Sequence, residues 1–112
     1  MPPDGARLAS SVLVGGLIRK AQADGGFAAV LAKGDAMAGA ILVVLTERAA
    51  CPRAFERILQ PDGAYAWKTA GEGDEAIREL IARRLRFDPD MWVLELDVPS
   101  AERFAAEMNL IG

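Results

Sequence analysis

The sequence predicts an α+β fold in which two to three helices pack on a mostly antiparallel sheet of about five strands. Three observations carry this prediction. Apolar residues from Ile77 to Leu85 recur at the three-and-four spacing of an amphipathic helix, and Asp88-Pro89 then ends that helix. From Trp92 to Val98 the apolar residues alternate at a period of two, which is typical of a strand. Glycine and proline turn signals separate the other short apolar runs.

Composition indicates an ordinary globular domain without the basic field that would attract an anionic partner. The chain has 112 residues, which fits a single α+β domain over 1–112, and we expect residues 1–6 to be disordered. Apolar residues make up 52% of the chain and charged residues 26%. The net charge is −3, so no basic field attracts nucleic acid or anionic lipid. We therefore expect neither a nucleic-acid partner nor a membrane.

The chain lacks histidine, which is the commonest general base and the commonest zinc ligand. It contains no histidine and a single cysteine, Cys51, so we expect no transition-metal site, no cofactor and no imidazole-activated nucleophile. The first five residues do not resemble a signal peptide, and the most apolar run, Ala36 to Leu45, is too short to cross a bilayer. A cytoplasmic location is the expectation that follows.

The first helix is predicted between about Ser10 and Asp24, and Gly25-Gly26 supplies the residues that favour a left-handed helix cap. Leu8 and Val12 fall on the opposite side of the helical wheel from the main apolar sector. They therefore mark either a later helix start or a second apolar surface.

Two strands are predicted next, Phe27–Lys33 and Ala40–Thr46, joined as a hairpin by residues 34–39. The second of these is apolar at every position from Ala40 to Leu45, which indicates that both of its faces are covered. In so small a chain a second copy is one source of that cover. We therefore predict a homodimer with Leu8, Val12, Ile41 and Val43 at its interface.

A second hairpin is predicted from Phe55–Gln60 and Ala64–Thr69 around the turn Pro61-Asp62-Gly63. Tyr65 and Trp67 line one face of its second strand. This pair forms either the covered face of a small sheet or a platform on which a base or sugar stacks.

The helix Asp74–Arg86 ends in a cluster formed by Arg83, Arg84 and Arg86, an arrangement that the helix dipole favours. Arg84 falls inside the apolar sector of this helix, so it needs a carboxylate partner or a route to water. The nearest candidate partners in the sequence are Asp88, Asp90 and Glu95. The alternative is an arginine that binds an anion, with Arg83 beside it. After the strand, Pro99-Ser100 precedes a short helix that extends to about Asn109.

The chain resembles a family of uncharacterised alphaproteobacterial proteins known as domain of unknown function 1491, over roughly residues 12–98. Four segments carry the resemblance: Leu17–Ala21 with Gly26–Val30, Lys33–Asp35 with Ala38–Ala40 and the strand that follows, Trp67, and Ala82–Glu95. Residues 47–60 depart from the family pattern, with Ala49-Ala50-Cys51-Pro52 in place of a polar, turn-rich segment. The resemblance implies a compact α+β bacterial domain and brings no activity, cofactor or catalytic residue.

Three functions from different classes are consistent with these observations. The first is a non-catalytic interaction module that forms a homodimer. The second binds nucleic acid or a phosphorylated ligand through Arg83, Arg84 and Arg86, with Trp67 or Tyr65 alongside. The third is a small enzyme whose carboxylates, Asp88, Asp90 and Glu95, lie near Arg84; Glu95 and Asp97 share one strand face. The absence of a catalytic set favours the first.

Overall fold

A computed structural model describes residues 8–111 and confirms the α+β prediction. The expected disorder of residues 1–6 lies outside the described residues. The elements in chain order are α1 (Ser10–Ala23), β1 (Phe27–Ala32), β2 (Ile41–Glu47), β3 (Ala50–Leu59), β4 (Tyr65–Glu72), α2 (Asp74–Phe87), β5 (Trp92–Val98) and α3 (Ala101–Ile111).

The five strands form one sheet in the order β1-β5-β2-β3-β4. Every neighbouring pair is antiparallel except β2 and β5, which run parallel. The predicted β3–β4 hairpin is therefore confirmed, whereas the predicted β1–β2 hairpin is wrong because β5 lies between those two strands. β3 also begins earlier than predicted, so that Cys51 and Pro52 belong to a strand.

The loop between β1 and β2 packs against the start of β5 instead of closing a hairpin. The backbone N–H of Asp35 donates to the Asp90 carbonyl at 2.9 Å. A Cβ placed at Gly34 or Gly39 would lie 2.3 or 2.5 Å from that same carbonyl oxygen, closer than any side chain can approach. The two glycines are thus required by this close approach of two backbones.

The two faces of the sheet carry separate cores. α1 and α3 pack on one face, over the side chains of β5 that alternate as predicted: Trp92, Leu94, Leu96 and Val98. α2 packs on the other face, where it meets Leu42, Val44 and Val93. The apolar strand β2 is therefore covered on both faces, as predicted, and helices of the same chain provide that cover. No second copy is needed for it.

The α2 side of the sheet is only partly covered. α2 packs over β2, β3 and β4 and its core extends to Val93 and Ala32, while the rest of β1 and the second half of β5 carry no helix on this side. Phe27 pairs with Asp97 across the two strands and is 75% exposed. This open half of the sheet adjoins the edge strand β1. Within residues 8–111 no helix is both long and apolar enough to cross a membrane.

Candidate functional site

A cleft of about 490 Å³ lies between α2 and the open half of the sheet, and we call it the α2 cleft. Its apolar lining comes from Leu31, Val44, Ile77 and Ile81. Its polar lining comes from Thr46, Asp74, Arg78, Glu95 and Asp97. The cleft exists because β5 alternates: Leu94 and Leu96 face the α1–α3 core, which directs Glu95 and Asp97 to this side.

Asp97 is held in place by the residues around it. One carboxylate oxygen accepts hydrogen bonds from the Thr46 hydroxyl and from the Ala49 backbone N–H, each at 2.8 Å. Arg48 and Ala49 form the turn between β2 and β3 with φ angles of 50° and 63°, a left-handed conformation that is unfavourable for residues other than glycine. Asp97 therefore stabilises a strained turn, whereas Glu95 is exposed to water in the cleft.

The second feature is the edge of the sheet formed by β1. This strand pairs with β5 and ends the strand order, so its other side has no neighbour among the described residues. Its sequence, FAAVLA, contains no charged residue, and Phe27, Val30 and Leu31 are each more than 40% exposed. The opposite edge, β4, carries the charged residues Lys68 and Glu72. The two edges thus differ in the charges that normally keep strands from pairing with other chains.

The three arginines of the predicted cluster have different surroundings in the structure. Arg84 forms an ion pair with Glu56 on β3. Of the two predicted solutions for Arg84, a carboxylate partner or a route to water, the structure shows the first, but the partner is none of the three acids nearest in the sequence. Arg83 and Arg86 are exposed. The predicted grouping of Asp88, Asp90 and Glu95 around Arg84 is wrong, because Arg84 pairs with Glu56 and the cleft instead brings Glu95 together with Asp97 and Arg78.

The predicted aromatic platform lies on the other face of the sheet from the arginines. Trp67 is 7% exposed and belongs to the core beneath α1 and α3. Its backbone N–H donates to the Asn109 side chain at 3.1 Å. The centre of the Tyr65 ring lies 3.9 Å from the guanidinium carbon of Arg57, and burial lowers the pKa of that arginine. A binding site that combines Arg83, Arg84 and Arg86 with Trp67 or Tyr65 is therefore wrong, since the sheet separates the two groups.

The four predicted interface residues also differ in their exposure to solvent. Leu8 and Val12 are exposed, at 42% and 53%. Ile41 and Val43 are 4% and 0% exposed and lie within the α1–α3 core. Their predicted place at an interface is wrong, because helices of the same chain already cover them.

Neither the α2 cleft nor the β1 edge is predicted as a site from the sequence. The uncharged run Phe27–Ala32 and the two acids on one face of β5 are visible in the sequence. These two features indicate a site only if β1 is an edge strand and β5 is a central strand. That strand order depends on pairing between segments that are far apart in the sequence. Among residues 8–111 no group of histidine, cysteine or acidic side chains is arranged to hold a metal ion.

Comparison with known proteins gives a consistent result. A family model described as "Protein of unknown function (DUF1491)" matches residues 8–106. The crystal structure of a DUF1491 family protein from Caulobacter crescentus CB15 is similar, with a TM-score of 0.75 and 36% identity over 87% of this chain and 94% of that chain. An NMR structure of a DUF1491 family protein from the same organism has a TM-score of 0.77 and 34% identity over 87% and 91% of the two chains.

A solution structure of a protein from A. tumefaciens is also similar, with a TM-score of 0.73 and 33% identity over 88% of this chain and 92% of that chain. No functionally curated protein matches the chain.

Proposed function

The chain belongs to the DUF1491 family, whose description assigns no activity, and we therefore propose from its own geometry that it is a non-catalytic interaction module that forms a homodimer through β1. The observation that carries this proposal is the uncharged, apolar edge of the sheet. An edge strand presents unpaired backbone N–H and C=O groups, and monomeric proteins usually protect them with charges, prolines or a covering element. β1 contains neither a charged residue nor a proline.

A second copy of β1 is a suitable partner for this edge. Two identical strands that pair antiparallel about a two-fold axis satisfy each other's backbone groups, and every contact is made twice. Such pairing joins the two sheets into one continuous sheet. It also covers part of the apolar surface of Val30, which is 46% exposed in the single chain.

The two alternative functions have less support. An anion-binding site has less support because Arg84 is already paired with Glu56. The aromatic residues predicted beside it lie on the opposite face of the sheet. Carboxylate catalysis needs a carboxyl group that is free to exchange a proton with a substrate. The predicted enzyme places Asp88, Asp90 and Glu95 near Arg84, but Arg84 pairs with Glu56 and does not line the cleft that contains Glu95.

The test is sedimentation velocity of the wild type and of Ala29→Lys at micromolar concentration. Ala29 is an exposed residue in the middle of β1 that pairs with Glu95 on the open half of the sheet and does not itself line the cleft. We expect the wild type to be a dimer and Ala29→Lys to weaken it at least about tenfold, because the two-fold axis brings two lysines close together. Thr69→Lys places the same charge on an exposed position of the β4 edge and is expected to leave the dimer intact.

A wild type that sediments as a monomer would overturn the proposal. So would a dimer that Thr69→Lys dissociates and Ala29→Lys does not, since the interface would then lie at β4. Circular dichroism confirms that each variant is folded before its association is measured.

A further inference from the structure

The α2 side of the sheet has room for a second helix. Five strands at about 4.8 Å spacing span about 19 Å, and packed helices lie about 8–10 Å apart, so one face accommodates two helices side by side. The opposite face carries two, α1 and α3. On this face α2 packs over β2, β3 and β4, which leaves most of β1 and the second half of β5 uncovered. The vacant strip is about one helix wide.

The side chains around this strip are partly apolar and partly acidic, and this combination indicates the kind of partner that binds there. Leu31, Val44 and Ile81 give the α2 cleft an apolar lining. Around them stand three carboxylates, those of Asp74, Glu95 and Asp97, against the single guanidinium of Arg78. An occupant that is apolar on one side and basic along its flank complements both parts of this lining.

We propose that the α2 cleft and the open half of the sheet beside it are a docking site for an amphipathic, basic helix of a partner protein. The apolar face of that helix lies on Leu31 and Val44, and its lysine or arginine side chains meet Glu95 and Asp97. The docked helix completes the second layer on this face, next to α2. This site goes beyond the homodimer proposed above, because it uses the face of the sheet and leaves the β1 edge available.

The occupant is a helix because the backbone of β5 is already paired on both sides, with β1 and with β2. A face whose strands are all paired binds side chains, and an incoming segment must satisfy its own backbone hydrogen bonds, as a helix does. A second copy of this chain does not supply that helix. Each of its three described helices already packs on its own sheet, so lending one would expose a core.

The experiment uses a labelled, end-blocked peptide of about 14 residues with leucines at helical spacing on one face and lysines on its flanks. A matched peptide carries glutamate in place of lysine. Binding to the full chain is followed by fluorescence anisotropy at low and at physiological ionic strength. We expect the lysine peptide to bind, with amide chemical-shift changes in NMR spectra at Val44, Ile77 and Glu95. The glutamate peptide is expected to bind at least about tenfold more weakly.

Two charge reversals separate docking from general attraction to an acidic protein. Glu95→Lys changes the cleft and is expected to weaken the lysine peptide about tenfold. Glu79→Lys makes the same change of charge on an exposed residue of α2 that does not line the cleft, and is expected to alter binding less than about twofold.

Equal weakening by both variants, shift changes confined to other surfaces, or no binding of the lysine peptide would each overturn the docking site. It would also be overturned if Glu95→Lys dissociated the homodimer, because a second copy would then occupy the cleft. A wild-type monomer that still binds the lysine peptide through Glu95 supports the docking site and overturns the proposed homodimer alone.

Discussion

The guanidinium of Arg84 on α2 donates a hydrogen bond to the carboxylate of Glu56 on β3. This pair connects the C-terminal half of the helix to the face of the sheet on which the helix packs. Glu56 has a side chain that is 21% exposed, and it lies beneath a helix that is otherwise apolar on this side. Without Arg84, its charge would remain partly desolvated with no compensating cation.

We expect Arg84→Ala to lower the free energy of unfolding by about 1 kcal/mol, a value near the upper end for a partly exposed ion pair. The Arg84 side chain is 39% exposed, so water screens part of the attraction. Arg83→Ala removes an exposed arginine from the same turn of the helix and is expected to have an effect within about 0.5 kcal/mol. Urea unfolding measures both. Equal losses for the two variants would contradict a specific role for the pair.

The outcome for Arg84 illustrates what the sequence can and cannot predict. The apolar sector of the helix shows that Arg84 needs a partner, because that requirement is local. The partner itself lies 28 residues earlier, on a strand whose position depends on the whole sheet. The same limit explains the wrong β1–β2 hairpin: the alternation in β5 predicts a strand, but not that it inserts between two strands that are consecutive in the chain. α2 and β5 were predictable from periodicity, whereas the cleft between them was not.

A second prediction concerns Asp97. We expect Asp97→Ala to lower the free energy of unfolding by about 2 kcal/mol, because it removes the acceptor for the largely buried Thr46 hydroxyl and for the Ala49 N–H. Glu95→Ala shortens an exposed acid on the same face of the same strand and is expected to change stability by less than about 0.5 kcal/mol. Thermal or urea unfolding compares the two. If Glu95→Ala were the more destabilising, Asp97 would not be what holds the turn.

The strained turn that Asp97 holds gives a third prediction. Ala49 has a φ of 63°, and glycine adopts this conformation without the steric penalty that a Cβ brings. We expect Ala49→Gly to leave the free energy of unfolding unchanged or to raise it by up to about 1 kcal/mol. Ala50→Gly alters the next residue, which starts β3 and has no positive φ, and is expected to lower stability by about 0.5–1 kcal/mol. Urea unfolding measures the change in the free energy of unfolding for each variant. A loss for Ala49→Gly would mean that the turn is not strained at Ala49.

The last prediction concerns pH and the contact between α1 and α3. The Lys20 ammonium lies 2.6 Å from a carboxylate oxygen of Glu107 and 3.2 Å from one of Asp24. The hydrogen bond from Lys20 lowers the pKa of Glu107 below its ordinary value of 4.5. The hydrogen bond to Glu107 raises the pKa of Lys20 above its ordinary value of 10.5. The pair thus links the two helices while both groups are charged.

The direction of the pH effect follows from these shifts. In the unfolded chain Glu107 takes up a proton near its ordinary pKa of 4.5, whereas the folded chain resists protonation. The stability that Glu107 contributes is therefore complete above that pH and is lost as the pH falls through the lower, folded pKa. The contribution of Lys20 is complete below 10.5 and is lost as the pH rises through its higher, folded pKa.

We expect Lys20→Met to lower the melting temperature at neutral pH, and this difference from the wild type to shrink as the pH falls below about 4. Melting curves from about pH 7 to about pH 3 measure it. Lys68→Met, which removes an exposed lysine from the β4 edge, is the matched control and is expected to show little difference at any of these pH values. A Lys20→Met deficit that stays constant down to about pH 3 would mean that packing of the lysine stem, and not its charge, joins α1 to α3.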